Sequence, residues 1–226
     1  MPATRAGVAA NRRDCIARIL ALSLAGLLTS TMDAANAAPA RRTLLIVGDS
    51  LSAEYGLPRG SGWVALLERR LAERQVAATV VNASISGETT SGGRSRLSAL
   101  LARHRPSHVV IELGGNDALR GLPLRMTEDN LRAMVKAARA EGAAVLLVGM
   151  QMPPNYGAAY ARDFAAIFSR VAKDEKTALV PFMLAALVDN GDATKWFQPD
   201  RIHPVAAAHP LILDTIWPVM DSWLRR

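Results

Sequence analysis

The sequence predicts an α/β domain in which a parallel sheet of five strands is layered by helices. Short apolar runs alternate with stretches of helical periodicity along most of the chain, the pattern that parallel sheets with crossover helices require. Each run ends in small or polar turn residues. No internal repeat, low-complexity region or linker interrupts the alternation, so one doubly wound domain accounts for it.

The first strand is the clearest. Leu44, Leu45, Ile46 and Val47 are consecutive apolar residues, as in a strand covered on both faces. The run stops at Gly48, Asp49 and Ser50. A serine therefore sits at the carboxyl end of a strand, where open α/β sheets bind ligands. Beyond Gly62, the residues Trp63, Leu66, Leu67 and Leu71 recur at helical spacing and predict a helix over residues 61–74 with Ser61 as N-cap. Residues 76–81 are β-branched and small, suiting a second strand that ends at Asn82, and residues 83–93 form a small-residue loop. Leu97, Leu100 and Leu101 face inward from a second helix that Pro106 terminates.

Residues 108–113 give the third strand, closed by Gly114, Gly115, Asn116 and Asp117. Thr127 is expected to open a helix carrying Leu131, Met134, Val135 and Ala138 on one face, with Gly142 just past its end. Residues 144–149 and 178–182 read as strands four and five. The helix between them bears Tyr160, Phe164, Ile167 and Val171 on one stripe. A polar, irregular segment at 189–201 precedes Ile202, His203 and Pro204. In the terminal helical region Pro204 suits a first turn, whereas Pro210 and Pro218 are expected to kink or interrupt the helix.

The chain begins with a leader pattern. Arg5, Arg12, Arg13 and Arg18 surround the approach to an apolar run at 19–28, and Ala35, Asn36 and Ala37 make a small-residue cleavage pattern. Residues 1–37 are expected to be a signal peptide and residues 38–226 a single mature domain, periplasmic or secreted. The apolar run is shorter than the roughly 20 residues of a spanning helix, so no stable membrane anchor is expected. Cys15, the one cysteine, lies in this leader. The mature chain would then have no disulfide, cysteine nucleophile or zinc–thiolate site.

The net charge is +7, and loss of the leader, with four arginines and two aspartates, would leave +5. Arg69, Arg70, Arg94, Arg96, Arg103 and Arg105 are scattered among apolar helix positions, without the aromatic–basic interleaving of a nucleic-acid binder. Nucleic acid is not an expected partner, no cofactor or metal is expected, and a monomer is the simplest assembly.

A serine nucleophile needs a base, a group to orient that base, and donors for the oxyanion. The chain has four histidines. His104 and His209 read as solvated helix residues, and His108 begins a strand at the edge opposite Ser50. His203 lies three residues after Asp200, a spacing that puts both side chains on one side of a compact turn. Asp200 can then hold the imidazole tautomer while the other ring nitrogen faces Ser50. Spacing alone leaves open an ordinary residue before a proline. Gly87 and Asn116, each just beyond a strand, are candidate oxyanion donors; a turn glycine and a capping Asn116–Asp117 pair are the alternatives, with Asp117 the cap. Asp49 is expected to brace its own loop.

These blocks resemble the SGNH (GDSL-type) hydrolase superfamily, and within it the bacterial periplasmic acyl-CoA thioesterase I / lysophospholipase L1 / arylesterase group. The matching blocks are Gly48-Asp49-Ser50-Leu51-Ser52, Gly87 within residues 82–89, Gly114-Gly115-Asn116-Asp117, and Asp200-Arg201-Ile202-His203-Pro204. The resemblance implies a three-layer α/β/α sandwich with a flavodoxin-like sheet. It implies Ser50 as nucleophile, His203 and Asp200 as base and orienting acid, and an oxyanion hole of Ser50, Gly87 and Asn116. Residues 118–124 and 151–157 resemble the loops that form the acyl pocket in this group. Leu119, Leu122, Leu124, Met150, Met152 and Pro153 supply apolar surface there.

The activity so implied is hydrolysis of aryl esters, fatty acyl thioesters and lysophospholipids through an acyl-enzyme. A carbohydrate O-deacetylase on the same scaffold is the alternative, and would need a small acetyl pocket beside a polar groove. A noncatalytic periplasmic lipid-binding protein is a third reading, disfavoured by the intact polar set.

Overall fold

The computed structural model describes residues 42–152, 154–188 and 193–225. Its strands are β1 (Arg42–Gly48), β2 (Ala78–Asn82), β3 (His108–Glu112), β4 (Ala144–Val148) and β5 (Ala178–Val180). All pair in parallel, in the order β2-β1-β3-β4-β5. The helices are α1 (Trp63–Glu73), α2 (Thr90–His104), the short α3 (Gly115–Leu119), α4 (Leu124–Ala140), α5 (Ala158–Asp174), the short α6 (Ala185–Val188) and α7 (His209–Leu224). α1 packs with α7, while α2, α4 and α5 pack side by side, giving the three layers expected. Among the described residues no helix is long and apolar enough to cross a membrane.

Burial follows the predicted pattern. Leu44 to Val47 are fully buried, as are Val109, Val110 and Ile111 of β3, because these central strands carry helices on both faces. The inward stripes close the core, with Leu131, Met134 and Val135 from α4 and Phe164, Ile167 and Val171 from α5. Phe164 and Phe168 meet edge to face. The chain leaves β1 for β2 in one direction and reaches β3 in the other, so the sheet order reverses between β1 and β3. The crevice beyond their carboxyl ends is where such sheets bind ligands.

Several local expectations are corrected. Ser61 does not cap α1; Gly62 occupies that position, and Ser61 donates its hydroxyl to the Pro58 carbonyl at 2.6 Å. The Trp63 N–H instead donates to Nδ1 of His209, 146 residues away, at 3.0 Å. His209 is therefore buried rather than solvated, and burial pushes its pKa down to about 4. α4 begins at Leu124 after Pro123, not at Thr127, whose hydroxyl is turned to Asp117. Pro204 forms an antiparallel bridge with Phe197 rather than a helical turn. Pro210 sits in the first turn of α7, where its missing N–H costs nothing, and only Pro218 lies inside the helix.

Candidate active site

β1 delivers Ser50 to the crevice directly. Gly48 is closely packed: a Cβ there would lie 2.8 Å from both Glu112 Oε2 and Ser52 Oγ, so glycine lets the turn fold over β3. The turn is braced by Asp49, whose Oδ1 accepts the Leu51 N–H at 3.0 Å. Ser52 and Ala53 donate their N–H groups back to the Asp49 carbonyl at 3.2 and 3.0 Å. This is the bracing role expected of Asp49.

His203 arrives from the other end of the chain on a tight loop. Oδ1 of Asp200 accepts the N–H groups of Ile202 and His203 at 2.9 and 3.0 Å, winding the three residues into one turn with Arg201 at φ 58°. The Asp200 Oδ2 lies 2.7 Å from His203 Nδ1, and the opposite nitrogen, Nε2, lies 2.9 Å from Ser50 Oγ. Burial works to raise the Asp200 pKa, but the two backbone N–H groups and the imidazole outweigh it and hold the carboxyl down at about 2. Asp200 is therefore an anion at any working pH. That fixes the proton on Nδ1 and turns the lone pair of Nε2 toward the hydroxyl.

Gln198 staples the two loops. Its N–H donates to the His203 carbonyl at 2.7 Å, and its side-chain amide donates to the carbonyls of Tyr55 and Pro204 at 3.0 and 3.1 Å. The Tyr55 ring lies against the imidazole, with centroids 4.3 Å apart. Neither residue belongs to a recognisable block, and only their position within a few residues of Ser50 and His203 hinted at them.

Asn116 stands in the first turn of α3, immediately beyond β3. Its Nδ2 donates one hydrogen to Asp49 Oδ2 at 3.0 Å, which orients the amide. Burial raises the Asp49 pKa to about 6, against the opposing pull of the Leu51 N–H and the Asn116 amide. Gly87 lies beyond β2 with φ 78°, and its carbonyl accepts from Arg120 Nη2 at 2.7 Å. The helix-capping role expected of Asp117 falls on a different helix. Fully buried, its carboxylate accepts the Thr90 N–H at 2.8 Å and the hydroxyls of Thr90 and Thr127, tying α2 to α4.

A cleft of about 560 Å³ opens beside Ser50, His203 and Asn116. Of the apolar residues expected there, Leu119, Met150 and Met152 line it. Leu122 and Leu124 do not: Leu124 packs against the core, and Leu122, in the turn after α3 where its N–H donates to the Asp117 carbonyl at 2.9 Å, is not among the lining residues. Pro153 lies outside the described residues. Further apolar residues of the wall, Phe182, Leu184, Val188 and Phe197, come from segments after β5 whose sequence carries no pattern pointing to a pocket. Among the described residues no three His, Cys, Asp or Glu side chains are gathered to hold a metal ion.

The family model described as "GDSL-like Lipase/Acylhydrolase family" matches residues 46–211. The chain is 50% identical over 204 residues to Esterase TesA of Pseudomonas aeruginosa, across 90% of this chain and 99% of that protein. It is 43% identical over 177 residues to the Thioesterase 1/protease 1/lysophospholipase L1 of Escherichia coli K12, across 78% of this chain and 82% of that one. A crystal structure of TesA superposes with a TM-score of 0.77 at 52% identity, covering 80% of this chain and 99% of its own.

Proposed function

The chain belongs to the GDSL-like lipase/acylhydrolase family and is a serine hydrolase acting on ester and thioester bonds, and on that premise we propose that Ser50, His203 and Asp200 form its catalytic triad. The observation that carries this assignment is the continuous run of contacts from Asp200 Oδ2 through both imidazole nitrogens to Ser50 Oγ, at 2.7 and 2.9 Å.

In the reaction, His203 Nε2 takes the hydroxyl proton as Ser50 Oγ attacks the acyl carbonyl. The tetrahedral oxyanion is held by the second hydrogen of Asn116 Nδ2 and by the backbone N–H groups of Gly87 and Ser50. The imidazolium, stabilised by anionic Asp200, then protonates the departing alcohol or thiol. Water, activated by the same imidazole, releases the acid from the acyl-enzyme and restores Ser50.

The substrate reading is likewise a proposal. Aryl esters, fatty acyl thioesters and lysophospholipids share an apolar acyl or aryl part, and the wall of Leu119, Met150, Met152, Phe182 and Leu184 offers it a matching surface. The same wall speaks against a carbohydrate deacetylase, which needs a polar groove. The leader of residues 1–37, outside the described residues, supports export of a single domain of residues 38–226 to the periplasm or the medium.

The test is a series of p-nitrophenyl esters from acetyl to octanoyl, on wild type and Ser50→Ala. Wild type should turn over the longer chains at least as well as acetyl. Ser50→Ala should remain folded and lose about six orders of magnitude in kcat. Turnover undiminished in Ser50→Ala would refute the nucleophile, and exclusive use of acetyl would favour the deacetylase.

A further inference from the structure

The mechanism above makes no use of Glu112, yet its carboxyl is buried directly beneath the nucleophile turn. It ends β3, and the sheet register pairs it with Gly48 of β1. Oε2 accepts twice. The Ser52 hydroxyl donates to it at 2.7 Å, and the Asp49 N–H donates at 3.3 Å. Ser52 Oγ in turn accepts the indole N–H of buried Trp63 at 3.1 Å, which leaves the hydroxyl proton free for Glu112. One carboxyl thus grips the residue before Ser50 and the residue two places after it.

The grip reaches the oxyanion side as well. Asp49, whose backbone Glu112 holds, accepts Asn116 Nδ2 on its own carboxylate. Nucleophile and side-chain donor are consequently referred to the same buried group. We propose that Glu112 is a positioning residue for hydrolysis, holding the Asp49 backbone and the Ser52 hydroxyl so that Ser50 and Asn116 keep a common geometry about the acyl carbonyl. This rests on the roles given to Ser50 and Asn116 above.

The charge state fits that task. Burial, and then the charge of Asp49, push the Glu112 carboxyl well above the usual carboxylate range, against the opposing pull of the Ser52 hydroxyl and the Asp49 N–H. The groups facing it are Asp49 and Ser52 from the nucleophile turn, with Trp63 behind Ser52. Asp49 is faced in turn by Asn116, Asp117 and His203. While protonated, Glu112 adds no negative charge beneath a carbonyl where negative charge develops. As pH rises far enough to ionise it, that charge appears and opposes the transition state. A glutamine offers the same acceptor oxygen and cannot ionise.

The experiment measures kcat and KM for p-nitrophenyl butyrate from neutral to alkaline pH on Glu112→Gln, Glu112→Ala, Ser52→Ala and the Glu112→Ala/Ser52→Ala double variant, with thermal unfolding as the control for folding and Ser50→Ala as the control for the nucleophile. Misplacement of the reacting groups by about 1 Å can cost about a hundredfold, so Glu112→Ala should lose about tenfold or more in kcat with KM nearly unchanged. Glu112→Gln, which keeps an acceptor oxygen for the Ser52 hydroxyl and the Asp49 N–H, should retain most of the turnover. Ser52→Ala should lose less, and the double variant no more than Glu112→Ala, because both act through one network. Glu112→Ala that is less stable but turns over normally would overturn the proposal. So would Glu112→Gln losing kcat as fully as Glu112→Ala, because the acceptor oxygen it keeps would then position nothing. If Glu112→Ala does not fold, normal kcat in Ser52→Ala overturns it. Undiminished turnover in Ser50→Ala would instead indict the nucleophile assignment, a separate failure.

Discussion

Replacing Asn116 with alanine isolates the oxyanion term. The side chain carries two amide hydrogens, one committed to Asp49 Oδ2 at 3.0 Å and the other available to the cleft that Asn116 lines. Loss of a single preorganised donor of this kind costs about 3 kcal/mol of transition-state stabilisation, which is about two decades in kcat. The bond to Asp49 is part of the ground state and contributes on the order of 1 kcal/mol to the fold. Asn116→Ala should therefore lose about a hundredfold in kcat, with KM within about twofold and only a small drop in melting temperature. The assay is steady-state hydrolysis of p-nitrophenyl butyrate beside a thermal melt. A companion Asn116→Asp keeps the shape but sets a carboxylate against Asp49 and against the developing oxyanion, and should be no faster than the alanine variant. A loss carried by KM, or kcat within about threefold of wild type, would refute the assignment of Asn116 as an oxyanion donor.

Other perturbations probe the scaffold and the cleft. Gly48→Ala drives a methyl to 2.8 Å from Glu112 and Ser52, so it should destabilise the protein by about 1–3 kcal/mol and reduce turnover, measured by denaturant unfolding and ester hydrolysis. His209 has a folded pKa of about 4 against an ordinary value of 6.5, so its neutral ring favours the native state. That contribution is complete above the ordinary value and is lost as pH falls toward about 4; it amounts to roughly 2 kcal/mol once partial solvent screening is allowed. His209→Asn, whose amide oxygen can still accept the Trp63 N–H, should show a flatter decline in melting temperature over that acid range, followed by calorimetry. Met152→Trp should fill part of the cleft and lower octanoyl relative to acetyl ester turnover by several-fold, read from the ratio of kcat/KM values.

What could be read from the sequence was local. Ser50 and Asn116 follow apolar runs that end abruptly in glycine, and those runs announce both the strand and its carboxyl end. Asp200 and His203 are three residues apart, close enough for a turn to join them without help from the rest of the fold. The remainder depends on contacts between distant segments. Nothing around Trp63 signals that its N–H is met by His209 from the far end of the chain, so Ser61 looked like the better cap. Glu112 reads as the polar end of a strand until the register sets it against Gly48. The same holds for the acyl wall. Leu122 and Leu124 have the right chemistry in the right loop but do not line the cleft, while Phe182 and Leu184 reach it from beyond β5.

The most direct measurement is covalent trapping of the nucleophile with an aryl phosphonate ester, followed by intact mass and peptide mapping. A single adduct on Ser50, absent from Ser50→Ala and formed far more slowly in His203→Ala, is the predicted result. Inactivation with the adduct on another residue, or with Ser50 unmodified, would contradict the account.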